Sequence, residues 1–179
     1  MTKPSKKINN MKKILKWKFI EKGFRSRHHK WKIGKWYSVT GNIEACVSGF
    51  HCSDGVYQAF LYVQGPILAR VEVRGDSDIE EDKSAWREMK VSKAYKWTKK
   101  DSVALSIYAA ELCINNYEKE YPNDLRPREA IEAAKRWLKT GSKKGLVAAW
   151  SAAGSACSAL IEKIAIWMSK RQKTLEVYK

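Results

Sequence analysis

Hydrophobic and polar positions alternate with a period near two over the first hundred residues, and with a period near 3.6 after them. From Ile14 onward, Leu15, Trp17 and Phe19 alternate with Lys16, Lys18 and Ile20, the spacing of a strand whose successive side chains leave opposite faces. Gly23, Gly34 and Gly41 punctuate the segments KWKIGKWYSV and GNIEACV, whose β-branched and aromatic content predicts further short strands. Asp54 is placed to cap a short helix carrying Val56, Tyr57, Phe60 and Leu61, which Gly65-Pro66 stops. The clearest strand is ILARVEVRG: Ile67, Ala69, Val71 and Val73 face one way, and Leu68, Arg70, Glu72 and Arg74 the other. DSDIEED, residues 76–82, reads as an acidic loop, and WREMKVSKAYKW, residues 86–97, as another strand.

Beyond Lys100 the pattern is helical. Asp101 or Ser102 begins a helix whose Val103, Ile107, Ala110, Ile114 and Tyr117 form one stripe. Leu105, Tyr108 and Leu112 widen that stripe, so most of the circumference is expected to be buried. Tyr121-Pro122-Asn123-Asp124 ends this helix, and Pro127 suits the first turn of the next, where its missing N–H would have had no partner. Ile131, Ala134 and Leu138 form the inner face of that helix, and Gly141 stops it. In the last helix Leu146, Trp150, Ala153, Cys157, Leu160, Ile164 and Trp167 are spaced alternately four and three apart, a heptad seam flanked by small Ala and Ser residues. The seam either docks on the two preceding helices or joins two copies of the chain through Leu146, Trp150, Cys157, Leu160, Ile164 and Trp167. Glu162 and Lys163 interrupt it and argue against a membrane span.

These elements predict an α+β fold: an N-terminal, mostly antiparallel sheet with one short helix, followed by a C-terminal layer of three helices. The expected organisation is a basic flexible tail over 1–12, a β-rich basic domain over 13–100, and a helical layer over 101–179 packed on it as one globular unit. A chain of 179 residues can bury a core without staples. The scattered Cys46, Cys52, Cys113 and Cys157 read as reduced thiols. The opening run MTKPSKKINNMKKILKWKF carries lysines but no apolar signal core, so a cytoplasmic location is expected.

Charge changes the picture once it is located. Residues 1–36 hold 13 Lys or Arg against the single acid Glu21, which is +12 of the chain's +16. An excess concentrated in one fifth of the chain implies a directional field and a polyanionic partner. The candidates are Lys16, Lys18, Lys22, Arg25, Arg27, Lys30, Lys32 and Lys35, which would neutralise phosphates and release counterions. Interleaved with them are Trp17, Phe19, Phe24, Trp31, Trp36 and Tyr37. These rings are either the buried face of amphipathic strands or platforms for stacking unpaired bases. The expected partner is nucleic acid, a host nucleoprotein or an acidic protein, and the expected mode of action is binding without catalysis. Cys46, His51 and Cys52, with Cys113 or Cys157, make one loose cluster where structural zinc sites show paired knuckles, so no metal is expected. The His28-His29 pair reads as a solvated loop.

Gly49-Phe50-His51-Cys52-Ser53, followed by Ala59, Tyr62 and the strand from Ile67 to Gly75, is similar to the core of ADP-ribosyltransferases, where a Gly-x-x-x-Ser strand end precedes a helix bearing Ala and Tyr. The resemblance implies NAD as cosubstrate, its nicotinamide wedged against Tyr62, with His51 and Ser53 in the site. The chain departs from that pattern: its first strand has no His-Gly or Arg, and it places no carboxylate as catalytic, Glu88 and Glu111 being guesses. Over roughly residues 13–160, SGFHCS, VYQAFLYVQGPILARVEVRGDSDIEEDKSAWREMKV, SVALSIYAAEL and YPNDLRPREAIEAAKRWL resemble a family of small uncharacterised proteins encoded by phages and prophages. This second resemblance implies an accessory protein in the cytoplasm of a bacterial host, inhibiting or modulating a host nucleic-acid or nucleoprotein system.

Overall fold

The computed structural model describes residues 13–27, 29–141 and 158–178. Strands β6 (Ile67–Ile79) and β7 (Ser84–Lys96) form a long antiparallel hairpin, and the rest of the sheet is built on its two edges. β1 (Ile14–Ile20) runs along β6 in register, with Trp17 opposite Arg70 and Phe19 opposite Leu68. The outer edge of β7 is covered piecemeal. β5 (Phe50–Cys52) pairs with Ser84–Trp86, and β4 (Trp36–Ser38) with Glu88–Lys90. The Gly34 amide then donates to the Val91 carbonyl at 2.8 Å, and Val177 bridges to Tyr95. Such coverage satisfies backbone groups that would otherwise template aggregation. β2 (Arg25–Ser26) and β3 (His29–Lys30) form a separate two-stranded ribbon.

The fold is therefore α+β, an N-terminal antiparallel sheet with one short helix and three C-terminal helices, as the periodicity predicts. Several local expectations are corrected. Asp76–Ile79 continue β6 instead of forming a loop, because their carboxylates find partners: Asp76 accepts from Arg87 Nε at 2.8 Å and Asp78 from the Ala45 amide at 2.8 Å. The segment GNIEACV is a turn closed by a Glu44–Ser48 bridge, with no strand of its own. Asp54 does not cap α1 (Val56–Tyr62), whose N-cap Gly55 makes no side-chain bond. Asp54 pairs with Lys16 at 2.5 Å instead.

The sheet buries both faces. Ile20, Ala69, Val71, Val73, Met89 and Val91 line one core, closed by the segment that crosses from β1 to β5 with its Trp31 and Phe50. Phe19, Leu68, Tyr95 and Trp97 line the other, closed by α1, α2 (Lys99–Glu120) and α4 (Ser158–Gln172). α2 has two buried stripes: Leu105 and Ala109 meet the sheet side, while Val103, Ile107, Ala110 and Ile114 meet Ile131, Ala134 and Trp137 of α3 (Arg126–Thr140). Thr98 and Asp101 form a capping box at the start of α2, and the buried Asp101 also accepts from Arg171 Nε at 2.8 Å, docking the end of α4 there. Ile164 is buried in the sheet–helix core, and Trp167 stacks on Tyr108 with ring centroids 5.7 Å apart. The remainder of the heptad seam (Leu146, Trp150, Ala153, Cys157 and the side chain of Leu160) and the tail 1–12 lie outside the described residues. No described helix is long and apolar enough to cross a membrane.

Gly65, just before β6, lies tight against the end of β1: a Cβ there would sit 2.2 Å from the Ile20 carbonyl oxygen. That obstacle is backbone, so it cannot swing away. Gly65→Ala is expected to cost about 2–4 kcal/mol by forcing the two segments apart. Thermal denaturation should show a melting point lower by about 5–15 °C.

Candidate polyanion interface

Between Ile20 and Phe50 the chain has little regular structure, and its side-chain orientation is set by pairing and by the core it covers. In the β2–β3 ribbon Arg25 lies opposite Lys30 and Ser26 opposite His29, so each pair shares a face. The Ser26–His29 face is turned inward. Trp31 Nε1 donates to Ser26 Oγ at 3.0 Å, and the His29 ring lies 4.3 Å from Trp31, 4.4 Å from Tyr37 and 5.2 Å from Phe50. Trp31 is 3% exposed. Phe24 packs edge-on against Tyr178 at 5.2 Å, so the end of the chain also holds the ribbon down. Phe24, Trp31 and Tyr37 are thus packed in or against the core. Edge-to-face contacts of this kind add about 0.5–1.5 kcal/mol beyond area burial. Trp36 leaves by the opposite face of the sheet, where Arg74 at 4.1 Å and Lys90 at 5.0 Å flank its ring. The buried His29 Nε2 has no hydrogen-bond partner among the described residues, and desolvation followed by the charge on Lys18 holds this imidazole below its ordinary pKa.

The eight candidate cations separate into two groups. Lys16 and Lys18 do not face a partner, because strand alternation puts them with Ile20 on the core side of β1. The Lys16 side chain is 9% exposed and ion-paired to Asp54. Lys18 is half-buried, and its ammonium donates to the His51 carbonyl at 2.8 Å. Desolvation pushes the Lys18 pKa down to about 8, with Cys52 partly opposing and Arg27 assisting. Lys22, Arg25, Arg27, Lys30, Lys32 and Lys35 are all exposed. No acidic residue occurs between Glu21 and Glu44, and among the described residues none of the six enters an ion pair. The acidic stretch that could have neutralised them is engaged elsewhere: Asp76 with Arg87, Asp78 with the Ala45 amide, Glu80 with Lys83 at 2.9 Å, and Asp82 with the Tyr62 hydroxyl. His28 lies outside the described residues.

The GFHCS segment is mostly interior. Phe50, Cys52 and Ser53 are buried, and Gly49 sits at φ 106°, where a Cβ would also press on Ala85 and Ile43 at 3.2 Å. His51 Nε2 accepts the Cys46 amide at 2.9 Å, and burial, then Lys18, keeps this imidazole below its usual pKa as well. The buried Cys52 thiol faces Ser84 Oγ at 3.7 Å and is pushed up to about 11 by desolvation. Tyr62 is exposed at the end of α1 and bonded to Asp82, whereas Ser53 is buried. Glu88 pairs with Arg74, and Glu111 with Lys135 on the helical side. Of the carboxylates weighed for ADP-ribosyl transfer, neither Glu88 nor Glu111 is free of an ion pair. Among the described residues no three His, Cys, Asp or Glu side chains converge to hold a metal ion. Cys157 lies outside the described residues.

Residues 14–101 match the model of a family described as a domain of unknown function, DUF7666. The matched stretch runs from the first residue of β1 into the first turn of α2, and so contains the whole sheet, α1 and the cationic ribbon. No curated protein and no solved structure matches the chain.

The depressed Lys18 pKa has a measurable sign. As pH rises from about 8 toward the ordinary 10.5, the folded chain has released a proton that the unfolded chain still holds, so the Lys18 contribution to stability rises across this window. Below about 8 the full desolvation cost of the ammonium remains. Urea unfolding of the wild type and Lys18→Met over pH 7.5–10.5 should show the difference moving in favour of the wild type as pH increases. A flat difference would show that the ammonium is not desolvated.

Proposed function

We propose that this chain is a binding protein that grips a polyanion, nucleic acid or a nucleoprotein in particular, through Lys22, Arg25, Arg27, Lys30, Lys32 and Lys35. One observation carries the reading: these six exposed cations have no carboxylate ion-pair partner among the described residues, while four of the five acids of residues 76–82, all but Glu81, are bound to other groups. Unpaired surface cations on a restrained frame repel one another, and an external row of phosphates relieves that repulsion while releasing its own counterions. Lys16 and Lys18, counted with the others from sequence, are left out because their ammonium groups point into the protein. The resemblance to small phage-encoded proteins supports a bacterial cytoplasmic setting and an accessory role, in which occupying the anionic surface of a host nucleic-acid system modulates or inhibits it.

The expected salt dependence follows from the number of cations. Six phosphate contacts give a slope of log K against log salt of about −4 to −5. Replacing Arg25, Lys30, Lys32 and Lys35 by Glu should abolish binding to heparin and to nucleic acid at moderate salt. The melting point should move by only a few degrees, since exposed charges without partners contribute little to stability. Lys18→Met should bind as the wild type does. Retention of affinity by the quadruple variant would overturn the proposal.

A further inference from the structure

We infer that the polyanion is a double-helical nucleic acid held by its phosphates, not a single strand; this rests on the polyanion-binding reading above. Three features of the ribbon point this way. The first is the loss of stacking surface. Proteins that hold single strands do so largely by stacking bases on exposed rings, at about 1–3 kcal/mol per base. Here Trp31 is buried, and Phe24 and Tyr37 are half-buried against the interior beside it, with the Lys35 ammonium 5.2 Å over the Tyr37 ring, so these rings leave little open face for a base. Trp36 opens on the other face of the sheet, between Arg74 and Lys90.

The second feature is rigidity. The ribbon is tied at Ser26 by the Trp31 indole, at His29 by three aromatic rings and at Phe24 by Tyr178. Arg25 and Lys30 therefore project side by side from a frame that cannot reshape around a flexible coil. A duplex offers a regular array of phosphates, one charge per about 1.7 Å of axis, and a higher counterion yield per contact than a single strand. Fixed cations match a fixed lattice. The third feature is Arg27 at the ribbon's tip, with φ 49°. A left-handed backbone of this kind ordinarily falls to Asn or Gly, because a larger side chain is strained there. Position 27 carries an exposed guanidinium in spite of that preference, a further cation beside Arg25 and Lys30 in the chain. With phosphates as the contact, duplexes of unrelated sequence are held alike.

Fluorescence anisotropy at moderate salt with a short DNA duplex, an RNA duplex of the same sequence, the separated strands and heparin tests the inference. The expected result is at least one duplex bound about tenfold tighter than its own strands, with a steeper salt slope, and the two duplex arms tell DNA from RNA. Arg27→Gly, which relieves the backbone at the tip and so keeps the fold, should lower the duplex slope by about one. Strands bound as tightly as the duplex would overturn the inference while heparin binding left the polyanion reading intact. Failure to bind any of the four probes would overturn both. An unchanged slope in Arg27→Gly would remove the ribbon tip from the interface and overturn the assignment.

Discussion

The outer edge of β7 is the constraint on which the rest of this structure depends. A 13-residue strand in the middle of a fold must have its amides and carbonyls paired on both sides. On one side β6 does this over nearly its whole length. On the other, β5, β4, the Gly34 amide and the chain around Val177 each take a few residues. None of these pieces would be stable alone. Together they fasten a stretch of thirty-odd residues with little regular structure across one face of the sheet.

That fastening sorts the side chains of the crossing segment. Once β4 and β5 lie on β7, Trp31, Tyr37 and Phe50 fall over Val71, Met89 and Val91, and apolar burial holds them there. The cations between them are left on the outside. Surface ion pairs are worth about 0–1 kcal/mol, so the absence of ion pairs at the six cations among the described residues costs the fold little. What it changes is the external field. On the opposite face the requirements are ordinary ones: α1, α2 and α4 cover Phe19, Leu68 and Tyr95, and the Asp101–Arg171 contact joins the start of one helix to the end of another. The helical layer stabilises the sheet without contributing to the cationic face. α3, packed on α2, is a further layer removed from it.

Much of this was legible in the residues themselves. Alternation marked β1 and both faces of β6, and the change of period after Lys100 marked the helices. Pro127 and Gly141 bracketed α3, and the uneven distribution of charge pointed to the N-terminal fifth of the chain. These signals are local: strand period, helix period, caps and formal charge depend on near neighbours in the chain.

Other properties depended on contacts between distant residues. Lys16 and Lys18 carry the same charge as Lys30 and Lys32, and in sequence nothing separates them. Their burial follows from the side of β1 on which Ile20 and its partner Ile67 lie, a fact of packing between segments some fifty residues apart. The extension of β6 through Asp76 and Asp78 likewise required Arg87 and the Ala45 amide to come within reach. Sequence alone determined that this chain is an α+β protein with its positive charge gathered near one end. Only the tertiary structure decided which of those charges meet solvent and that most of the rings among them are held against the interior, because burial is a property of the surfaces that segments present to one another, not of the residues that compose them.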